Sequence, residues 1–377
     1  MGRTILKILV VNWRDIKNPE AGGAEVHLHE IFGRIARGED DVTVVAHSFA
    51  GAPSVETIDG MRVLRTGHKF DFNFRVRPFV RQLLEREEFD VIVEDLNKLP
   101  FFLNSLKGPP TCAVLHHFFG SSIWKETNPL FASYVGVGEW LVRTRYRRLP
   151  FNVVSESTAG ELIDAGFPPE NVSIVHNAVD HQLYSVDESV RKIHGQIVYL
   201  GRVKKYKGID FILRALPAVR EEIPNATLVV VGGGDDHDRL AKITRELGLS
   251  EHVRFTGMVD TETKIRILRE SEVMVTPSPK EGWGVTTIEA NACGTPVIAS
   301  NVHGLRDAVR DGDTGVLFPY GDVPALTDAL VRVLGDDVFR DDLRTHAIPW
   351  AARFKWGDSA RGVRNWLADV VRKGKIA

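Results

Sequence analysis

Two successive series of short apolar runs, spaced by helical patterns, limit what this chain can fold into. The first series opens at Lys7-Ile8-Leu9-Val10-Val11 and continues at 42–46, 61–64, 91–93, 113–115 and 153–154. Helical patterns fall around 80–86, 130–148 and 158–165. The second series starts at Gln196-Ile197-Val198-Tyr199-Leu200 and repeats at 227–231, 253–255, 273–276, 296–299 and 316–318. Apolar runs without alternation suit parallel strands buried on both faces. Their alternation with helices predicts an α/β fold with mainly parallel sheets. The largely polar stretch 180–195 reads as a linker between the two series. A chain of 377 residues is long enough for two domains with separate cores. The expected architecture is two Rossmann-like α/β/α domains facing across a central cleft. Residues 1–180 would form the first and 181–357 the second, with a helix at 358–377 returning to the first.

The composition excludes several classes. A formal net charge of −2 gives no overall attraction to nucleic acid or anionic lipid. Cys112 and Cys293 lie in separate apolar segments, which argues against a disulfide framework and permits a reducing cytoplasm. Residues 1–11 lack the long apolar core and cleavage site of a signal peptide. The apolar stretch 129–142 is too short to span a bilayer and is broken by Ser133 and Glu139. A cytoplasmic location is expected, with peripheral contact at the inner face of the membrane allowed.

The chemistry concentrates in Glu281-Gly-Trp-Gly-Val-Thr-Thr-Ile-Glu289. It follows the apolar run 273–276 and the breakers Pro277-Ser278-Pro279, and it precedes the helix stop Gly294. The pattern is strand, loop, helix, with Glu281 in the loop and Glu289 in the helix. Backbone N–H groups of Gly284, Val285 and Thr286 would lie at the positive end of that helix, an anion site. Two carboxylates beside an anion site repel the anion unless they hold something else, and sugar hydroxyls are the obvious partners. A nucleotide sugar fits, with its sugar at one end and its ribose at the other.

Gly201-Arg202-Val203-Lys204-Lys205-Tyr206-Lys207-Gly208 follows the first strand of the second series. A surface basic turn would explain it alone. Beside the anion-binding helix of the same domain, Arg202 and Lys207 instead suit a diphosphate leaving group. In the first series, Gly22-Gly23 immediately precedes a helix and lets backbone approach a ligand closely. It is not the G-x-G-x-x-G dinucleotide fingerprint. His116-His117 closes the strand at 113–115, at the end where ligands of open α/β sheets bind. Side chains alternate along a strand, so the two imidazoles point apart and one is a buried structural group.

No metal site is expected. Asp235-Asp236-His237-Asp238 follows a strand and a triple-glycine turn, where acidic residues cap a helix. Asp40-Asp41 and Glu221-Glu222 have no second set of ligands. Arg143, Arg145, Arg147 and Arg148 stand beside Trp140 and Tyr146, and Arg75, Arg77 and Arg81 beside Phe70, Phe72, Phe74 and Phe79. These segments suit an anionic membrane surface or a phosphorylated acceptor. A solvated helix face is the preferred reading, because neither has a clean amphipathic period.

With these residues assembled, the chain resembles the retaining glycosyltransferases of family 4, which have the GT-B fold. The resemblance covers nearly the whole chain. Its most specific parts are the strand-G-R-x4-K-G pattern at 199–208, the Glu281/Glu289 pair and Gly294-Thr295-Pro296. In the first domain it rests on Gly22-Gly23, Val154-Ser155-Glu156-Ser157 and Val175-His176-Asn177-Ala178-Val179-Asp180. It implies transfer of a hexosyl group from a UDP- or GDP-sugar to an acceptor hydroxyl, with retention and without a metal or other cofactor. Arg202 and Lys207 would bind the diphosphate, Glu281 the sugar and Glu289 the ribose. Backbone at Val285 and Thr286 would cap the phosphate, Gly23 would approach it from the first domain, and Met258 would meet the base. The family's catalytic histidine matches His116 better than His117, and the doubling leaves the choice open. The acceptor is not identified by the sequence, and only the arginine and aromatic segments favour a lipid-linked or polysaccharide precursor. Rival readings are a glycoside hydrolase or phosphorylase, and a nucleotide-sugar-binding protein without transfer activity.

Overall fold

In the computed structural model, which describes residues 5–120, 123 and 129–374, the chain divides into two compact units. The first is Met1–Asn177 with Trp356–Ala377, and the second is Ala178–Lys355. The breaks thus fall slightly before the expected 180 and 357, and residues 1–4 and 375–377 lie outside the described residues.

The elements of the first unit are β1 (Lys7–Val11), α1 (Gly23–Arg37), β2 (Asp41–Ala46), β3 (Val55–Ile58) and β4 (Met61–Arg65). Then come α2 (Phe72–Leu84), β5 (Val91–Leu96), β6 (Thr111–Leu115), α3 (Pro129–Arg145), β7 (Phe151–Val153), α4 (Glu156–Asp164) and β8 (Val172–Ile174). They form one eight-stranded sheet in the order β3-β4-β2-β1-β5-β6-β7-β8. All pairings are parallel except β3 with β4. From β1 the chain moves outward one way to β2, and from β5 the other way to β6. The carboxyl ends of β1 and β5 therefore flank the switch point, where such sheets bind ligands. The helix α1 buries Leu28, Ile31, Phe32 and Ile35, the spacing of one helical face. The C-terminal helix Trp356–Gly374 buries Val363, Leu367, Val370 and Val371 and belongs to this unit. Its Arg364 reaches Asp40 (Nε to Oδ2, 3.0 Å), and Ser359 donates to the His176 carbonyl.

The second unit runs β9 (Gln196–Leu200), α5 (Ile209–Glu222), β10 (Thr227–Val231), α6 (His237–Glu246), β11 (Val253–Gly257) and α7 (Thr261–Glu270). It continues through β12 (Val273–Thr276), α8 (Val285–Ala292), β13 (Val297–Ser300), α9 (Leu305–Ala308), β14 (Gly315–Phe318), α10 (Val323–Gly335) and α11 (Asp337–Ala351). Its six strands are all parallel, in the order β11-β10-β9-β12-β13-β14. This doubly wound order puts the switch point between β9 and β12. Ile197, Val230, Val275 and Ile298 pack with Leu213, Leu216 and Leu330 in its core. Each such fully buried aliphatic side chain contributes about 1.5–3 kcal/mol relative to exposure.

Three expectations need correction. The polar stretch 180–195 is no free linker: Tyr184 is buried, Arg269 holds Asp187 and the Ser185 carbonyl, and Arg344 holds Glu188. Asp236 occupies the N-cap position of α6 but makes no cap hydrogen bond, because its carboxylate takes Arg239 at 2.6 Å. The helix α11, unanticipated from the sequence, is capped by Asp336, whose carboxylate accepts from the Phe339 N–H. No helix among the described residues is long and apolar enough to cross a membrane.

Candidate functional site

In the second unit, the loops that leave the two strands at the switch point carry the expected residues. The loop after β9 ends at Lys207, and the loop after β12 carries Glu281. The Lys207 ammonium meets Glu281 Oε1 at 2.5 Å. Burial opposes the charge on Lys207, but the Glu281 carboxylate outweighs it and holds the ammonium above its usual pKa range. Two glycines permit this approach. Gly208 has φ of 69°, and a Cβ there would stand 2.6 Å from the Pro277 carbonyl oxygen. Gly284, at φ of 74°, is the N-cap of α8, and a Cβ would stand 2.9 Å from Leu305 Cδ2. Any side chain would therefore force the loops apart or break the entry into the helix.

The first turn of α8 is built by Val285 and Thr286, while the Thr287 hydroxyl donates to the Gly284 carbonyl. First-turn N–H groups have no intrahelical acceptor and carry the positive end of the helix dipole. Glu289 lies on the same helix, largely buried, with Lys264 Nζ at 3.4 Å from Oε1. Its Oε2 is buried without a geometrically sound hydrogen bond, although Tyr184 adjoins the carboxylate and Lys264 stacks 4.8 Å over the Tyr184 ring. Burial raises the Glu289 pKa, and Lys264 opposes that rise. A buried acceptor of this kind suits a ligand hydroxyl. Arg202 is exposed, with its carbonyl fixed by the Tyr199 hydroxyl at 2.9 Å. Met258 is exposed and stands against Gly233 of the turn after β10.

In the first unit, polar side chains gather at the carboxyl end of the sheet. His116 follows β6, with its Nε2 3.2 Å from Asp95 Oδ1 at the end of β5. Burial works against an imidazolium, but the Asp95 charge overrides it and raises the His116 pKa. His27 of α1 meets the His116 ring edge-on, 4.9 Å between centroids, and bonds Asn177 through Nδ1. Burial and then the His116 charge push the His27 pKa down to about 4. His27 therefore resists taking a second proton beside His116. His117, in the loop beyond β6, stacks edge-on with Phe119. Gly22 precedes α1 in extended conformation, and its N–H donates to Glu25 Oε2 at 2.6 Å. Gly23 is exposed, and a Cβ there would meet no protein atom within 4 Å. The packing of this unit does not itself require glycine at 23.

Asp95, His27, Lys264 and Tyr184 were not singled out by the sequence. The signal for Asp95 was available, because Glu94-Asp95 is a charged pair closing an otherwise apolar strand. Glu94 is fully buried, accepts from the Leu103 N–H and the Tyr146 hydroxyl, and is pushed up to about 7 by burial. Among the described residues, no three His, Cys, Asp or Glu side chains converge as a ligand set for a metal ion.

Comparison with known proteins follows the division into units. Residues 21–183 match the model of Glycosyltransferase Family 4, and residues 187–350 match that of Glycosyl transferases group 1. A D-inositol 3-phosphate glycosyltransferase of Corynebacterium aurimucosum is 32% identical over 220 residues, 54% of this chain and 52% of that protein. A phosphatidyl-myo-inositol mannosyltransferase of Mycobacterium leprae is 36% identical over 180 residues, 47% of each chain. The chain thus spans about half the length of the curated relatives it matches. Among solved structures, sucrose-phosphate synthase from Thermosynechococcus elongatus superposes with a TM-score of 0.83 at 20% identity, over 97% of this chain and 99% of that one. Anabaena HepE, solved with UDP and glucose, gives 0.77 at 18% identity, over 97% and 100%. The chain belongs to the group 1 glycosyltransferases of family 4 and has the two parallel-sheet α/β units of the GT-B fold.

Proposed function

We propose that the chain is a retaining glycosyltransferase that moves a hexosyl group from a nucleoside-diphosphate sugar to an acceptor hydroxyl without a metal ion. The observation that carries this reading is the convergence of Lys207, Glu281 and the α8 N-terminus at the switch point of the second sheet. A diphosphate placed there meets a cation and a helix dipole, the groups that stabilise a departing anion. Arg202 adds an exposed guanidinium from the same loop. Glu281 offers acceptor lone pairs to sugar hydroxyls while neutralising Lys207 before the donor arrives. Glu289 Oε2 takes a ribose hydroxyl, and Met258 lies where a base would pass. Gly23 leaves the α1 N-terminus of the first unit open to a ligand, with no protein atom within 4 Å of a Cβ built there.

In the transfer, the bond from the sugar C1 to the diphosphate oxygen breaks and the diphosphate takes the electron pair. The acceptor oxygen attacks C1 from the same face, and its proton passes to the departing phosphate oxygen. Asp95 raises the His116 pKa, and the imidazole, 3.2 Å from that carboxylate, offers a hydrogen-bonding group for the sugar or acceptor. The names of the curated relatives favour an acceptor hydroxyl on an inositol-type polyol, free or carried on a lipid. A hydrolase is disfavoured because Glu281 is held by the Lys207 ammonium, a partner suited to a diphosphate leaving group rather than to a pair of catalytic carboxyls.

The test is to incubate the protein with UDP- and GDP-hexoses and inositol phosphates, with and without EDTA. Product and anomeric configuration are followed by proton NMR. Release of nucleoside diphosphate with a glycoside of retained configuration, unchanged by EDTA, is expected. Inversion would overturn the stereochemistry, and loss of turnover in EDTA would overturn metal independence. Sugar release from nucleotide-free glycosides would favour the hydrolase instead.

A further inference from the structure

The donor loops leave the carboxyl ends of the second sheet, and a separate cavity of about 270 Å³ lies at the amino ends of β9, β12 and β13. Lys192 leads into β9, Glu272 into β12 and Pro296 into β13, while Arg340 and Arg344 reach the cavity from α11. Lys192 is exposed as a residue, but its ammonium turns inward. It donates to the Ser271 carbonyl at 2.7 Å and to the Thr295 hydroxyl at 2.8 Å. Both acceptors belong to fully buried residues. Ser271 is the C-cap of α7, so closing the end of that helix accounts for one of the two bonds. An ammonium has three donors, and among the described residues Lys192 makes these two hydrogen bonds and no ion pair.

A second cation stands at the same turn. Gly294 has φ of 73°, and a Cβ there would stand 3.1 Å from Arg344 Nε, so the glycine admits the guanidinium to the turn between α8 and β13. Burial, then the Arg344 charge, push the Lys192 pKa down to about 8, while Cys293 and Glu272 oppose the shift and Arg340 adds to it. The carboxylates of the lining do not neutralise Lys192. Asp187 takes Arg269 and the Ser189 N–H, and Glu272 takes Arg340, His194 and the Gly195 N–H. Asp341 is exposed and makes no ion pair among the described residues. Glu188 holds Arg344 at 2.8 Å, but its side chain is 81% exposed, and a solvated pair of this kind gives way readily to a better acceptor. Two like charges beside one cavity repel each other, and an anion between them relieves the repulsion. The volume lies just below the range of drug-sized ligand pockets, which suits a compact anion. Glu188 and Asp341, on the exposed side, would repel a second phosphate group.

We propose that the second unit carries a phosphate site at the amino ends of its strands, in which Lys192 and Arg344 bind free phosphate or a compact phosphate monoester. Phosphate oxygens accept from the third Lys192 N–H and from the Arg344 guanidinium, and Glu188 is released to solvent. The bound anion joins 186–192 to α11 and to the turn before β13, which braces the segment that enters β9. The site lies at the opposite end of the strands from the donor loops, so it goes beyond the donor reading and does not depend on it.

The test is trace acetylation of the whole chain with acetic anhydride, with the labelling of each lysine read by mass spectrometry. Inorganic phosphate and glycerol 3-phosphate are the probes, and sodium chloride holds the ionic strength constant. At saturation either probe should lower Lys192 labelling at least about tenfold and leave the exposed Lys242 unchanged. Equal effects would identify the phosphate group as the whole ligand, and a stronger effect of the ester would identify an organic monoester. Arg344→Met should weaken the affinity behind this protection at least about tenfold, whereas Lys207→Ala should leave it intact. The Glu188 that Arg344→Met releases is already exposed, so the thermal midpoint of that variant should stay near wild type. Unchanged Lys192 labelling in wild type would overturn the proposal whatever the variants do. Protection equal to wild type in Arg344→Met, or lost in Lys207→Ala, would also overturn it, the second by assigning the phosphate to the donor loops. Protection of Lys192 without any nucleotide binding would leave this site standing and refute the donor site alone.

Discussion

Replacing His27 with Asn should remove a pH dependence that the wild-type fold carries between neutrality and pH 5. His27 is buried beside His116 and titrates near 4, against about 6.5 in an unfolded chain. A histidine whose folded pKa is depressed supports the fold above the unfolded value, and that support is lost as pH falls towards the folded value. Lowering the pH from 7 to 5 protonates the imidazole in the unfolded chain but not in the folded one, which costs about 2 kcal/mol. His27→Asn keeps a donor for Asn177 and leaves a void that lowers stability equally at both pH values. His29 and His47 are also pushed down by burial, and they cancel between wild type and variant. Urea unfolding at pH 7 and pH 5 measures the difference. The wild type should lose about 2 kcal/mol more than His27→Asn over this interval. Equal losses would refute the depressed His27 pKa.

Other perturbations separate the parts of the site. Lys207→Ala removes a charge-assisted contact worth about 1.5–3 kcal/mol, so nucleoside diphosphate affinity by calorimetry should fall about 10- to 100-fold. Its thermal midpoint should stay close to wild type, because the Glu281 it leaves is partly exposed and can hydrate. Gly208→Ala places a side chain at positive φ against the Pro277 carbonyl, and should destabilise the second unit by about 1–3 kcal/mol in thermal unfolding. Asp95→Asn removes the charge that raises the His116 pKa, so the imidazole should titrate at lower pH by NMR. The stability that the His116–Asp95 pair adds below about 6.5, and loses as pH rises through the higher folded value, should vanish with it.

Much of the fold was legible because parallel strands buried on both faces are apolar along their whole length, as at β1, β9 and β10. The strand β3 was not, since Val55-Glu56-Thr57-Ile58 lies on the sheet edge and is largely solvated. The helix α11 was obscured by Pro349 and by a mostly polar first half. The segment 180–195 reads as a linker because what fixes it comes from Arg269 and Arg344, far along the chain. The same separation hides the partners of the site. Lys207 and Glu281 each stand in a recognisable local pattern, but their ion pair spans 74 residues. Lys264 and Tyr184 join Glu289, and Asp95 and His27 join His116, only through sheet order and helix packing.

The central claim is that a nucleoside diphosphate sits on the second unit between the loop after β9 and the N-terminus of α8. Hydrogen–deuterium exchange with and without UDP or GDP, in the presence of EDTA, tests it at the level of segments. The account predicts slowed exchange confined mainly to 201–208 and 281–289, with the effect lost in Lys207→Ala. Saturable binding that protects other segments, or no protection at millimolar nucleotide from a folded protein, would contradict it.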